Sequence, residues 1–153
     1  MKSDYMTIYG RYRKAAGLTQ ERAAELLGVT VRSVAAWERG ESVPPDMRVL
    51  AMADIYNAPT ICIEHLRFNV AIARDVLPPV PYVHLPQAVC QLCAALRKVA
   101  EDHAEDQLLA IAADGRVDEM EQAQFVELAN DLDDVIAAAL ALRYAEGGVR
   151  AWN

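Results

Sequence analysis

The sequence predicts an all-α fold, and three observations predict it. Apolar residues recur at helical spacing through most of the chain, and alanine is frequent. The prolines cluster at 44–45, 59 and 78–86, between the periodic stretches. A chain of 153 residues that is 54% hydrophobic has enough apolar surface for a packed core, in one domain or two small ones. The longest apolar run, Val135–Leu142, is eight residues, far short of the ~18 a membrane span needs, so no membrane partner is expected. The N-terminus MKSDYM has no apolar segment of a secretory signal, and three cysteines make no disulfide framework. Both point to a cytoplasmic protein.

Four segments follow from the pattern. Residues 1–69 read as a domain of five short helices, 70–86 as a proline-rich linker, 87–147 as a long helical hairpin and 148–153 as a tail. Residues Met1–Tyr5 read as a loose leader. Thr7–Ala16 reads as the first helix, with Ile8, Tyr12 and Ala16 on one side and Arg11, Arg13 and Lys14 on the others. Thr19 can cap a second helix whose apolar side carries Ala23, Ala24, Leu26 and Leu27. Gly28 stands where the chain must turn. Thr30 caps a third helix, Val31–Arg39, and Gly40 ends it as a C′ glycine. Val34 and Trp37 are three apart and share one face, which makes Trp37 the centre of the first core. Pro44-Pro45 forces a loop, after which Asp46 can cap a helix over Met47–Tyr56 with a stripe of Val49, Leu50, Ala53 and Ile55 or Tyr56. Thr60 to about Asn69 reads as a fifth helix.

Helix, tight turn, helix over Thr19–Gly40 is the plan of a DNA-reading helix-turn-helix. The G-L-T-Q opening at Gly17–Gln20, the L-G-V-T turn at Leu27–Thr30 and the W-E-R-G close at Trp37–Gly40 resemble the Cro and lambda-repressor (XRE-like) family, over roughly Ile8 to Tyr56. The resemblance implies a double-stranded DNA partner. It places Thr30, Val31, Arg32 and Ala36 against base edges, with Arg32 able to span both acceptors of a guanine and Val31 able to touch a thymine methyl. It gives Gln20, Arg39 and Ser33 to phosphate, Ser33 also being within reach of a base. It also makes Arg13 and Glu38 a buried ion pair. Ala36 stands where the family often has a long polar side chain, and Glu41 puts a negative charge beside the phosphate-facing loop.

The net charge of −7 is unevenly spread. Residues 1–58 hold eight Lys and Arg against seven Asp and Glu, net +1, and residues 59–153 hold seven against fifteen, net −8. A first half this close to neutral predicts weak non-specific DNA affinity, because phosphate neutralisation dominates that term.

Beyond Pro86, Val89, Leu92, Leu96 and Val99 follow 3-4-3 spacing, and one helix is expected as far as Ala113. Asp118 and Glu121 form a cap for a second long helix that reaches about Tyr144, with Gly147-Gly148 behind it. Phe125, Leu128, Leu132, Val135, Ala139 and Leu142 make a heptad seam, and Val126, Ala129, Ile136 and Leu140 a second stripe. Two stripes are more than one partner helix covers, so a homodimer through Phe125, Leu128, Leu132, Val135 and Leu142 is expected, bound to a palindromic operator. This second half, with its turn at Ile111–Glu119, resembles the C-terminal part of phage-type regulators.

The expected function is a sequence-specific DNA-binding transcription regulator, a dimeric repressor of phage or mobile-element type. The alternatives are a protein–protein adaptor (an antitoxin or a phage-encoded inhibitor) using the acidic half, and a cysteine-based metal or redox sensor. Cys90 and Cys93 form C-x-x-C, but zinc needs four converging ligands, so both are read as buried apolar residues. Asp114–Asp118 is too short for a calcium loop and Arg116 intrudes. No nucleophile–base cluster, phosphate loop or carboxylate pair suggests an enzyme, and no cofactor or metal is expected.

Overall fold

The computed structural model describes residues 7–145 and divides the chain into two compact units after Leu77. The expectations for the leader, for Gly147-Gly148 and for the tail lie outside the described residues. Among those described, the first unit holds α1 (Ile8–Ala15), α2 (Gln20–Leu27), α3 (Val31–Glu38), α4 (Asp46–Ile55), α5 (Thr60–Asn69) and α6 (Ala71–Val76). The second holds α7 (Leu85–Glu101), α8 (Ala104–Ile111), a 3-10 turn (Ala112–Asp114) and α9 (Gln122–Arg143). The fold is all-α.

In the first unit, the ends of the helices are set by local chemistry. The Thr19 hydroxyl accepts from the Arg22 amide at 3.2 Å and the Thr30 hydroxyl from the Ser33 amide at 3.1 Å, each satisfying an orphan donor of the following helix. Gly28 and Gly40 take φ of +64° and +72°, and each closes a Schellman cap: Val29 N–H reaches Ala24 O, and Glu41 N–H reaches Ala36 O. The core joins Tyr9, Tyr12, Ala23, Ala24, Leu27, Val34, Trp37, Val49, Met52, Ala53, Tyr56 and Ile61.

Several expected stripes are rotated. In α4 the buried face is Val49, Met52, Ala53 and then Tyr56, while Leu50 is exposed, because i, i+3, i+4, i+7 selects Met52 over Leu50. In α2, Leu26 points outward beside buried Ala23, Ala24 and Leu27. In α1, Tyr9, Tyr12 and Arg13 are buried, so its inward face is set by two tyrosines and an arginine rather than by Ile8 and Ala16. Asp46 is the first residue of α4 and makes no cap bond; Pro45 occupies the cap position. The Asp46 carboxylate meets His65 Nε2 at 3.2 Å instead, and Tyr9 Oη meets His65 Nδ1 at 2.8 Å. This polar bridge, buried at Tyr9 and His65 and open to solvent at Asp46, ties α5 to α1 and α4.

The 70–86 stretch is not extended throughout. Ala71–Val76 is helical, and Arg74 fastens it to the end of α5 by donating to the carbonyls of Arg67 and Phe68 at 2.9 and 3.1 Å.

In the second unit the expected two-helix hairpin becomes three helices. The first does not run to Ala113; it breaks at Asp102–His103, where His103 has φ of +51°. No glycine or proline marks this break, but histidine is among the residues that tolerate the left-handed region. The break lets Ala104 and Ile111 of α8 pack on Leu128 of α9. In the turn that leads into α9 the expected box forms in both directions: Glu121 N–H donates to Asp118 Oδ1 at 2.9 Å and Asp118 N–H to Glu121 Oε2 at 3.2 Å.

α7 and α9 run antiparallel, with Lys98 paired to Asp131 across them. The expected seam is split by this packing. Leu128 is buried inside the unit by its own chain, Val135 and Leu142 are half-buried, and Phe125 and Leu132 stay 40% and 39% exposed. The face that remains open on α9 is Phe125, Ala129, Leu132, Ile136 and Ala139, itself a 4-3-4-3 repeat. On α7 it is Leu85, Val89 and Leu96. Each stripe lies about 100° around its helix from the contact face, in the same sense, which in an antiparallel pair puts both on one side. The opposite side is a groove of about 400 Å³ lined by Ala94, Ala95, Lys98, Asp134 and Ala137. Cys90 and Cys93 are exposed rather than buried, because the inward residues of α7 are Ala88, Leu92, Ala95 and Val99. Among the described residues no three His, Cys, Asp or Glu side chains are gathered as a metal site, and no helix is long and apolar enough to cross a membrane.

Candidate nucleic-acid interface

α3 buries Val34, Trp37 and Glu38. With 100° per residue, the side opposite those three carries Arg32, Ala36 and Arg39, flanked by Val31 and Ala35. This outward face is apolar and thin at its middle, with an arginine near each end. Arg32 is exposed and makes no hydrogen bond or ion pair among the described residues, so its guanidinium is available to a ligand. Val31 is 40% exposed beside it. Ser33 is half-buried, and its hydroxyl sits 2.9 Å from Thr30 Oγ1, inside the α3 cap. Ser33 and Thr30 therefore first serve the helix end that holds Arg32 in place.

Two of the expected phosphate contacts are already engaged. Gln20 does not extend to solvent: its amide donates to Glu38 Oε2 at 2.8 Å. The reason is a buried carboxylate with more lone pairs than one arginine fills. Arg13 Nε and Nη2 reach Glu38 Oε1 and Oε2 at 2.5 and 2.8 Å, and Arg13 Nη1 donates to Leu18 O at 2.5 Å. Arg13 and Glu38 side chains are 8% and 7% exposed, so this fork joins α1, α2 and α3 in the interior. Arg39 is held by Glu41, Nε to Oε1 at 2.6 Å and Nη2 to Oε2 at 2.9 Å. Sequence reading had no signal for that fork beyond the sign of Glu41.

Burial pushes the Glu38 carboxyl up, but hydrogen bonds from Arg13 and Gln20 and the Arg13 charge outweigh it and hold the group below its usual range. A carboxyl whose pKa is lower folded than unfolded stabilises the fold above the unfolded value, about 4.3, and loses that contribution as pH falls through the folded one. Acid unfolding of the first unit should therefore begin below about pH 4.3 and steepen downward. Glu38→Gln should flatten that slope in a pH series of thermal melts, and an unchanged slope would show that other carboxylates set it.

Residues 11–60 match a family model described as helix-turn-helix. No curated protein and no solved structure matches the chain. The matched segment runs from within α1 to the start of α5, and so spans the Arg13–Glu38 fork, both Thr caps and the whole outward face of α3. The chain thus carries a DNA-binding helix-turn-helix of the XRE, lambda-repressor-like type, the module of a transcription regulator.

Proposed function

We propose that the protein is a dimeric repressor that sets two copies of α3 into successive major grooves of a palindromic operator. The observation that carries this reading is the outward face of α3. Arg32 is unpaired there, in the first turn, where a recognition helix meets base edges. Arg32 spans a guanine, Val31 packs on a thymine methyl, and Ala36 adds shape without a hydrogen bond. One such face reads few bases, so affinity depends on two half-sites about 34 Å apart held on one body. Repression is steric, by occupying DNA that polymerase needs.

Dimerisation rests on the one-sided apolar surface of α7 and α9. Leu85, Val89, Leu96, Phe125, Leu132 and Ile136 are all at least 36% exposed and lie on the same side of the pair. Exposed apolar side chains gathered on one side of a helix pair mark an interaction surface, and a second copy related by a two-fold axis covers it as a four-helix bundle. Ile136→Glu places a charge at its centre. Sedimentation at micromolar concentration should give a dimer for the wild type and a folded monomer for the variant, with operator binding falling at least tenfold. A wild-type monomer would overturn the two-half-site mechanism.

A further inference from the structure

We infer that Glu41 is an internal competitor for DNA phosphate, held on Arg39 in the free protein and displaced when the first unit docks. The proposal rests on the reading that the outward face of α3 meets DNA. Arg39 shares that face with Arg32, two turns along the helix, and is the cation nearest its C-terminal end. Its guanidinium is occupied by both Glu41 oxygens in a fork, the geometry in which arginine also takes phosphate. The two ligands therefore compete for one set of donors.

The backbone makes this arrangement a built one. Arg39 is the C-cap residue of α3, Gly40 takes φ of +72°, and Glu41 N–H closes back on Ala36 O at 2.9 Å. That cap fixes the path from position 39 to 41, with Glu41 just beyond the end of the outward face. Arg39 holds the Glu41 carboxyl below its usual range, and the Arg32 charge adds to the effect, so the carboxylate bears on both arginines of the face. Side chains of Arg39 and Glu41 are 55% and 57% exposed, which leaves both free to swing and leaves the core indifferent to either.

The consequence is a protein that discriminates against random DNA. Phosphate contacts are sequence-independent, so masking one lowers non-specific binding directly. On an operator, where Arg32 also gains base contacts, the cost of parting Arg39 from Glu41 is met by the additional bonds.

The test needs no knowledge of the operator. Binding of full-length wild type, Glu41→Gln, Arg39→Ala and the double variant to a random-sequence duplex is measured by fluorescence anisotropy across a salt series. Glu41→Gln should bind roughly tenfold tighter at 50 mM salt, with a log–log salt slope steeper by about 1. In the Arg39→Ala background the same change should give no gain. An equal gain in both backgrounds would make Glu41 a general negative charge and overturn the proposal, as would unchanged or weaker binding by Glu41→Gln. Failure of wild type and Glu41→Gln alike to bind any duplex at low salt, with circular dichroism showing both folded, would overturn the DNA-binding reading itself.

Discussion

Arg13→Met should destabilise the first unit by about 3–5 kcal/mol, although it removes a surface-type residue and adds an apolar one. The loss comes from what stays behind. Glu38 keeps its place in the interior at 7% exposed, with only Gln20 left to donate to it, and the Leu18 carbonyl loses its arginine as well. A lone buried carboxylate either remains charged at high cost or takes a proton and loses its fork. The double change Arg13→Met with Glu38→Leu should recover most of the loss, since a buried pair replaced by apolar residues of similar volume is often neutral. Urea unfolding of the wild type, Arg13→Met and the double variant gives the comparison, with Trp152 replaced by phenylalanine in each so that Trp37 alone reports on the first unit. A single variant as stable as the wild type would mean that the fork is open to water.

Trp37→Ala should cost a similar amount, roughly 3–5 kcal/mol, by a different route. Trp37 is 7% exposed in a cluster that gathers side chains from α1 through α5, and its carbonyl accepts from the Thr7 hydroxyl at 3.0 Å. Truncation leaves a void that α3 cannot collapse into without losing the Arg13–Glu38 register one residue on. Against a typical domain stability of 5–15 kcal/mol, the first unit would then be partly unfolded at 37 °C. Hydrogen exchange should show lost protection in α1–α5 and unchanged protection in α9. Stable helices with lost DNA binding would instead mean that Trp37 touches the ligand.

The parts of the fold legible in the sequence are those governed by local chemistry. Thr19, Thr30, Gly28, Gly40 and the Asp118–Glu121 cap all announce helix ends through residues with a specific backbone role. The five helices through Asn69 follow from those marks. What was not legible depends on tertiary partners. The break at His103 has no glycine or proline to signal it, and it exists because α8 returns to pack on Leu128. The seam on α9 is continuous by spacing, yet α7 and α8 take Leu128 and leave Phe125 and Leu132 outside, together with Ile136 of the second stripe. On α3 the motif gives Arg32 an exposed position in the first turn, because that position follows from the helix cap. It carries no sign of the bond that draws the Gln20 amide inward to a carboxylate eighteen residues away. Long-range hydrogen bonds of this kind leave no periodic trace.

The central claim, that the outward face of α3 reads base edges, is tested most directly by selecting duplexes from a random pool with the full-length protein. Arg32→Ala is then compared on the selected sequence and on a scrambled one. The variant should lose about 1–3 kcal/mol on the selected site, little on the scrambled site, and tolerance should widen at one base position in each half-site. Equal losses on both sequences would contradict the claim, making Arg32 one more phosphate contact.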